Sequence, residues 1–170
     1  MLIYTGIGSR NTPDDVLKTM TALATELELT NYTLRSGGAE GADTAFEVGV
    51  HSCFNQEIYL PWKGFNNSHS PLHSPSDKAI IMAKAYHPNW DACSRWARLF
   101  HARNCHQVLG QDLKTPTDFV LCWTPKGQWI GGTSQALRIA DHWNIPIFNL
   151  ADDNWDTEFN TFIEEDNHET

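Results

Sequence analysis

The sequence predicts an α/β fold: a parallel sheet with helices on both faces, in a single domain spanning residues 1–170. Three observations lead there. Short apolar runs alternate with stretches of helical periodicity along the chain. Three glycine-rich segments, residues 6–11, 36–43 and 124–133, each follow one of those runs. Phe119–Trp123 is apolar throughout, the pattern of a strand buried on both faces.

Residues 2–5 read as the first strand. Thr12 suits an N-cap, Pro13 a first helical position, and Asp14 and Asp15 favour the positive end of a helix dipole. Val16, Met20, Leu23 and Leu27 follow at helical spacing and form a stripe for burial. A second strand is predicted over 32–34 and a second helix over 42–50, with Ala45, Phe46 and Val48 as its apolar members. A brief third strand is predicted over 58–60. Residues 61–75, rich in Ser, Asn, His and Pro, read as a long surface loop, of a length that is uncommon without a function.

Ser76 suits the cap of a short helix through Ala85, and Pro88 separates it from a longer one over about 91–109. On that helix Trp96, Leu99, Phe100, Arg103 and His106 lie on adjoining turns, and Gly110 fits its end. After Phe119–Trp123 come a helix over 133–143, a strand over 145–150 and a last helix over 155–163. In a parallel sheet the loops after the strands share one edge, so the three glycine segments converge on one pocket.

Composition sets bounds on function. With 41% hydrophobic and 19% charged residues the chain is an ordinary globule, and no apolar run reaches the roughly 20 residues of a membrane span. No basic region followed by an apolar stretch opens the chain, so a cytoplasmic protein without a membrane partner is expected. Cys53, Cys93, Cys105 and Cys122 lie far apart with no CxxC pair, consistent with free thiols in a reducing compartment. The net charge of −9 disfavours a broad phosphate-backbone footprint on nucleic acid. Part of the excess sits in an acidic C-terminal helix and tail, from Asp152 to Glu169, which reads as a solvated surface.

The chemistry is carried by the glycine segments. In Gly6-Ile7-Gly8-Ser9-Arg10-Asn11 the Gly-x-Gly start resembles a dinucleotide turn, although Asn11 stands in place of a third glycine. No GxxxxGK[ST] sequence occurs, which excludes a P-loop. Arg10 beside this turn suits two-point binding of a phosphate or carboxylate, or a salt bridge to Asp14 or Asp43. In the second segment Ser36, Gly37, Gly38 and Gly41 allow close approach of an anion before a helix N-terminus.

Asp43 and Glu47 share a helical face one turn apart. They are candidates for the ribose or for catalysis, with capping the alternative for Asp43 and pairing with a cation that for Glu47. Thr124, Gly131, Gly132 and Thr133 form a second candidate phosphate cradle. Trp62 and Trp129 are placed to stack on a base or to pack. Among the eight histidines, His101, Cys105 and His106 come nearest to a metal cluster, but no fourth ligand is indicated and no metal or cofactor is expected.

The Gly-Ser-Arg start, the Ser-Gly-Gly-Ala-x-Gly-Ala-Asp stretch and the late Gly-Gly-Thr before a helix resemble the SLOG superfamily. That group takes in DprA, the Lonely Guy phosphoribohydrolases and YspA/YpsA-like proteins. Leu60-Pro61-Trp62, His87-Pro88, Arg103-Asn104, Gln107-Val108-Leu109-Gly110 and Ile145-Pro146-Ile147-Phe148-Asn149-Leu150 are similar to small DprA-like proteins of bacteria and their phages. The resemblance runs from about residue 3 to 150 and implies a Rossmann-like fold with a nucleotide or nucleotide-derived ligand over the glycine loops. The chain departs from the Lonely Guy pattern at Ala136, where those enzymes carry a glutamate, and from DprA in lacking an obvious basic surface.

The expected function is therefore nucleotide binding. N-glycosidic bond cleavage is the reaction to expect of an enzyme here, with Glu47 or Asp43 as its carboxylate. A non-catalytic nucleotide sensor or sponge and a DprA-like mediator on single-stranded DNA are the alternatives. A homo-oligomer is compatible with the sequence.

Overall fold

The computed structural model describes residues 2–168. Five parallel strands, β1 (Leu2–Gly8), β2 (Tyr32–Ser36), β3 (Gln56–Ile58), β4 (Phe119–Trp123) and β5 (Ile147–Asn149), form one sheet in the order β3-β2-β1-β4-β5. Six α-helices accompany them among the described residues: α1 (Asp14–Leu29), α2 (Ala42–Gly49), α3 (Asp77–Tyr86), α4 (Arg95–Leu109), α5 (Thr133–His142) and α6 (Trp155–His168). The α/β, Rossmann-like architecture expected from the sequence is the one observed. No described helix is long and apolar enough to cross a membrane.

Alternation along the strands sends side chains to two separate cores. Tyr4, Leu34, Phe119, Leu121 and Phe148 pack with α1, α2 and α6, whereas Ile7, Val120 and Cys122 pack with α3, α4 and α5. Phe119 is the centre of the first core. It stacks on Tyr4 at 5.8 Å between ring centroids and meets Phe148, Phe159 and Phe162 edge-on. A fully buried ring of this kind contributes about 1.5–3 kcal/mol. Because β1 has β2 on one side and β4 on the other, the chain reverses direction across the sheet between β1 and β4, and a crevice opens beyond their C-terminal ends.

Local chemistry explains most boundaries. Ser76 accepts from Ala79 N–H at 3.2 Å and caps α3, and Gly110, at φ 75°, ends α4. Several expectations are corrected. Thr12 is not the cap of α1: Pro13 holds that position, and Thr12 Oγ1 instead donates to Ser9 C=O at 2.7 Å, bracing the first loop. Val48 is exposed, since α2 turns Ala45 and Phe46 inward and leaves Val48 on the opposite face.

The third strand lies two residues earlier than expected, because β3 pairs Gln56–Ile58 with 34–36, while Leu60 forms an isolated parallel bridge to His73. That bridge and a short 3-10 turn at Phe65–Asn67 give internal order to the 61–75 loop. The helix expected from residue 91 begins at Arg95 under the Ser94 cap, after a separate turn at Trp90–Ala92. At the acidic C-terminus α6 runs on to His168, and Glu169 lies outside the described residues.

Candidate functional site

A cleft of about 630 Å³ occupies the crevice beyond β1 and β4. The first loop supplies Gly8, Ser9 and Arg10, the second Ala39 and Asp43, and the third Thr124, Gly131, Gly132 and Thr133. One wall is α4, with Phe100, His101, Arg103, Asn104 and Gln107. His87, Ile130 and Ala136 complete much of the remainder.

Asp43 ties these parts together. Its carboxylate is buried and accepts from Arg103 Nη1 at 3.3 Å, from Ala39 N–H at 3.4 Å and from Gly8 N–H. Burial pushes the Asp43 pKa up against the pull of the Arg103 charge, and burial lowers Arg103 against the pull of Asp43. Gln107 locks the guanidinium. With its amide oxygen toward Gly37 it accepts from Gly37 N–H at 3.0 Å and from Arg103 Nη1 at 3.2 Å, while its nitrogen donates to Asn104 Oδ1 at 2.8 Å. Arg103 Nε, buried in the cleft wall, has no hydrogen-bond partner among the described residues.

Arg10 is exposed on the first loop, and no ion pair among the described residues involves it. It lies close enough to Arg103 for its charge to depress the Arg103 pKa. The third loop delivers the N-terminus of α5, which no side chain caps. Ser134 Oγ donates to Gly131 C=O at 2.6 Å, and Asn104 Nδ2 donates to Gly132 C=O at 2.9 Å, fixing the turn to α4. Around Gly131 and Gly132 the space is open: a Cβ at either position would meet no atom within 4 Å. Thr124, buried at the base of the third loop, accepts at Oγ1 from Asn149 Nδ2 at 2.7 Å.

The remaining sequence candidates lie behind this wall. Ser36 Oγ donates to Gly6 C=O at 2.7 Å and is buried. Gly37 N–H is taken by Gln107, and Gly38 N–H donates to Glu47 Oε1 at 2.8 Å. Gly41 packs on the backbone of Ser9 and Arg10. The amides of Gly38 and Ala39 thus hold the protein's own carboxylates, Glu47 and Asp43. Glu47 does not line the cleft. Burial, followed by the nearby Asp43 charge, raises its pKa to about 7.

Trp62 packs edge-on against Phe65, Trp96 and Phe100, and Trp129 is exposed beside the cleft-lining Ile130. His101, Cys105 and His106 do not converge: Cys105 Sγ donates to Ala79 and His101 carbonyls inside the core, and His106 stacks on Tyr59 at 5.6 Å.

Sequence reasoning missed α4 as the wall of the site. Arg103, Asn104, His106 and Gln107 are all buried. A run of polar residues at core positions of one helix is itself a signal, because each must find a buried partner.

No protein-family model matches the chain, and no curated protein matches it. Among solved structures it is similar to DNA processing protein A (DprA) from Helicobacter pylori, a structure that concerns that protein's single-stranded DNA binding mode. Identity is 18% and the TM-score 0.58; the match covers 87% of this chain and spans 64% of the length of the other. The fold of this chain is therefore DprA-like.

Proposed function

We propose that the cleft binds a nucleotide-type ligand, with its phosphate at the third loop and Arg10 and its base toward Phe100 and Ile130. The observation that carries this reading is the convergence, in one crevice at the sheet's reversal point, of an uncapped helix N-terminus with Arg10 and Arg103 Nε, which has no partner among the described residues. Helix N-termini and guanidinium groups favour anions, and the apolar remainder of the wall suits a planar base. Binding without bond cleavage fits the carboxylates best. Asp43 is engaged by Arg103, and Glu47 is spent on Gly38, so N-glycosidic hydrolysis would rest on Asp43 alone.

The test is a thermal-shift series with nucleoside mono-, di- and triphosphates, NAD, ADP-ribose and cyclic nucleotides, each mixture then checked by chromatography. A ligand at 100 times its Kd adds about 2.7 kcal/mol of stability. A shift with intact ligand supports a sensor or sponge, release of free base supports a hydrolase, and no shift with any of them removes the nucleotide reading.

A second reading is single-stranded DNA, favoured by the DprA-like fold and by the cluster of Trp62, Phe65, Trp96 and Phe100, in which Trp96 is exposed. The net charge of −9 limits the number of phosphates engaged. An oligonucleotide titration at several salt concentrations measures that number, since the slope of log K against log salt is about −0.7 per phosphate on a single strand. Absence of binding at low salt removes this reading.

A further inference from the structure

We infer that His87, Cys93 and His101 form a binding site for a zinc-type divalent cation at the edge of the cleft. One ligand atom from each residue lies within 4.8 Å of the other two. Cys93 Sγ is 3.7 Å from His87 Nε2 and 3.8 Å from His87 Nδ1, near the roughly 3.5 Å between nitrogen and sulfur ligands on a tetrahedral zinc ion, and the half-buried His87 ring must turn to aim a lone pair at the ion. The His87 and His101 rings are 4.3 Å apart, centroid to centroid. His101 Nδ1 is buried and has no hydrogen-bond partner among the described residues, an atom whose lone pair or hydrogen is otherwise uncompensated.

The three residues come from separate local structures. His87 directly follows the end of α3, Cys93 follows the turn at Trp90–Ala92, and His101 is on α4. Trp90, buried against both imidazoles at 6.1 and 6.5 Å, holds the turn in place. Two imidazoles and a thiolate are a borderline-soft donor set, suited to zinc or cobalt rather than magnesium or calcium.

A Cys93 thiolate would supply the negative charge that favours a divalent cation. His87 Nδ1 accepts from Asn89 N–H at 3.1 Å, and water can replace this bond because Asn89 is at the surface. Both imidazoles line the cleft, so the fourth position is left to water or to an oxygen of the cleft's occupant.

This site stands independently of the nucleotide reading, because its test uses the metal alone. Cobalt(II) added to reduced protein should bind one-to-one and produce a thiolate-to-cobalt charge-transfer band, which excess zinc abolishes. Cys93→Ser should lose the band and His101→Ala should weaken binding at least tenfold, whereas Cys53→Ser, which alters an exposed thiol elsewhere, should leave both unchanged. Near-ultraviolet circular dichroism checks that each variant is folded. No band at stoichiometric cobalt, or a band that survives in folded Cys93→Ser, would overturn the assignment.

Discussion

Gly37 and Arg103 are fitted to one another: a Cβ on Gly37 would overlap Arg103 Nη1, the atom that holds Asp43. The glycine is required here by the guanidinium of a distant helix rather than by a ligand. This relationship joins the second glycine segment to α4 and sets the back wall of the cleft.

Gly37→Ala must therefore displace Arg103 from the buried pair. A buried charge stripped of its partner costs about 3–5 kcal/mol, and a comparable loss is expected for Asp43→Asn. Urea unfolding of both variants checks this; stability within 1 kcal/mol or so of the wild type would show that the pair is dispensable.

Arg10 offers the contrast. It is exposed and forms no ion pair among the described residues, so Arg10→Ala should leave the melting temperature nearly unchanged. Loss of a charge-assisted contact should nevertheless weaken binding of a phosphate-bearing ligand by about 1.5–3 kcal/mol, roughly 10- to 150-fold. Calorimetric titration measures it, and unaltered affinity would take Arg10 out of the site.

The third loop separates two effects of glycine. Gly131 has φ 72° and Gly132 has φ −65°, and neither has a steric barrier to a Cβ. Gly131→Ala should destabilise by about 1 kcal/mol because an L-residue disfavours the left-handed region. Gly132→Ala should be neutral or stabilising by up to about 1 kcal/mol. Thermal melts of the pair decide between conformational and steric explanations.

Glu47 makes stability depend on pH in an unusual direction. Its pKa rises from 4.5 to about 7 on folding, so the native state holds a proton that the unfolded chain has released between those values. Stability is lost as pH rises from about 4.5 to 7, by up to ~3 kcal/mol from this group. Glu47→Gln keeps an acceptor for Gly38 N–H and removes the titration. The variant should overtake the wild type as pH rises through that window, and parallel melting curves from pH 4.5 to 8 would contradict the assignment.

Glu28 works in the opposite sense. It accepts from the backbone N–H groups of His51 and Ser52 at 2.9 and 2.8 Å, which are the leading causes that lower its pKa to about 2. Its contribution is present above the ordinary carboxylate pKa and is lost as pH falls from about 4.5 toward 2. Glu28→Ala should loosen the 51–55 turn and flatten the acid limb of the stability profile, read from unfolding midpoints between pH 2 and 5.

Much of this molecule follows from local chemistry alone. The apolar run of Phe119–Trp123 dictates a central strand, Ser76 a cap and Gly110 a helix end, because burial, orphan N–H groups and positive φ are properties of short segments. Alternation of strands and helices is enough to bring three loops to one sheet edge. What only the tertiary structure decided is which atoms face the opening. Gly37 and Gly38 turn inward because Arg103, Gln107 and Glu47, all on other elements, satisfy or crowd them. His87, Cys93 and His101 meet although their spacing resembles no metal motif, since a turn packed under Trp90 carries them together. Periodicity determines faces within an element; the pairing of buried charge and the convergence of ligands depend on packing between elements, which no local pattern encodes.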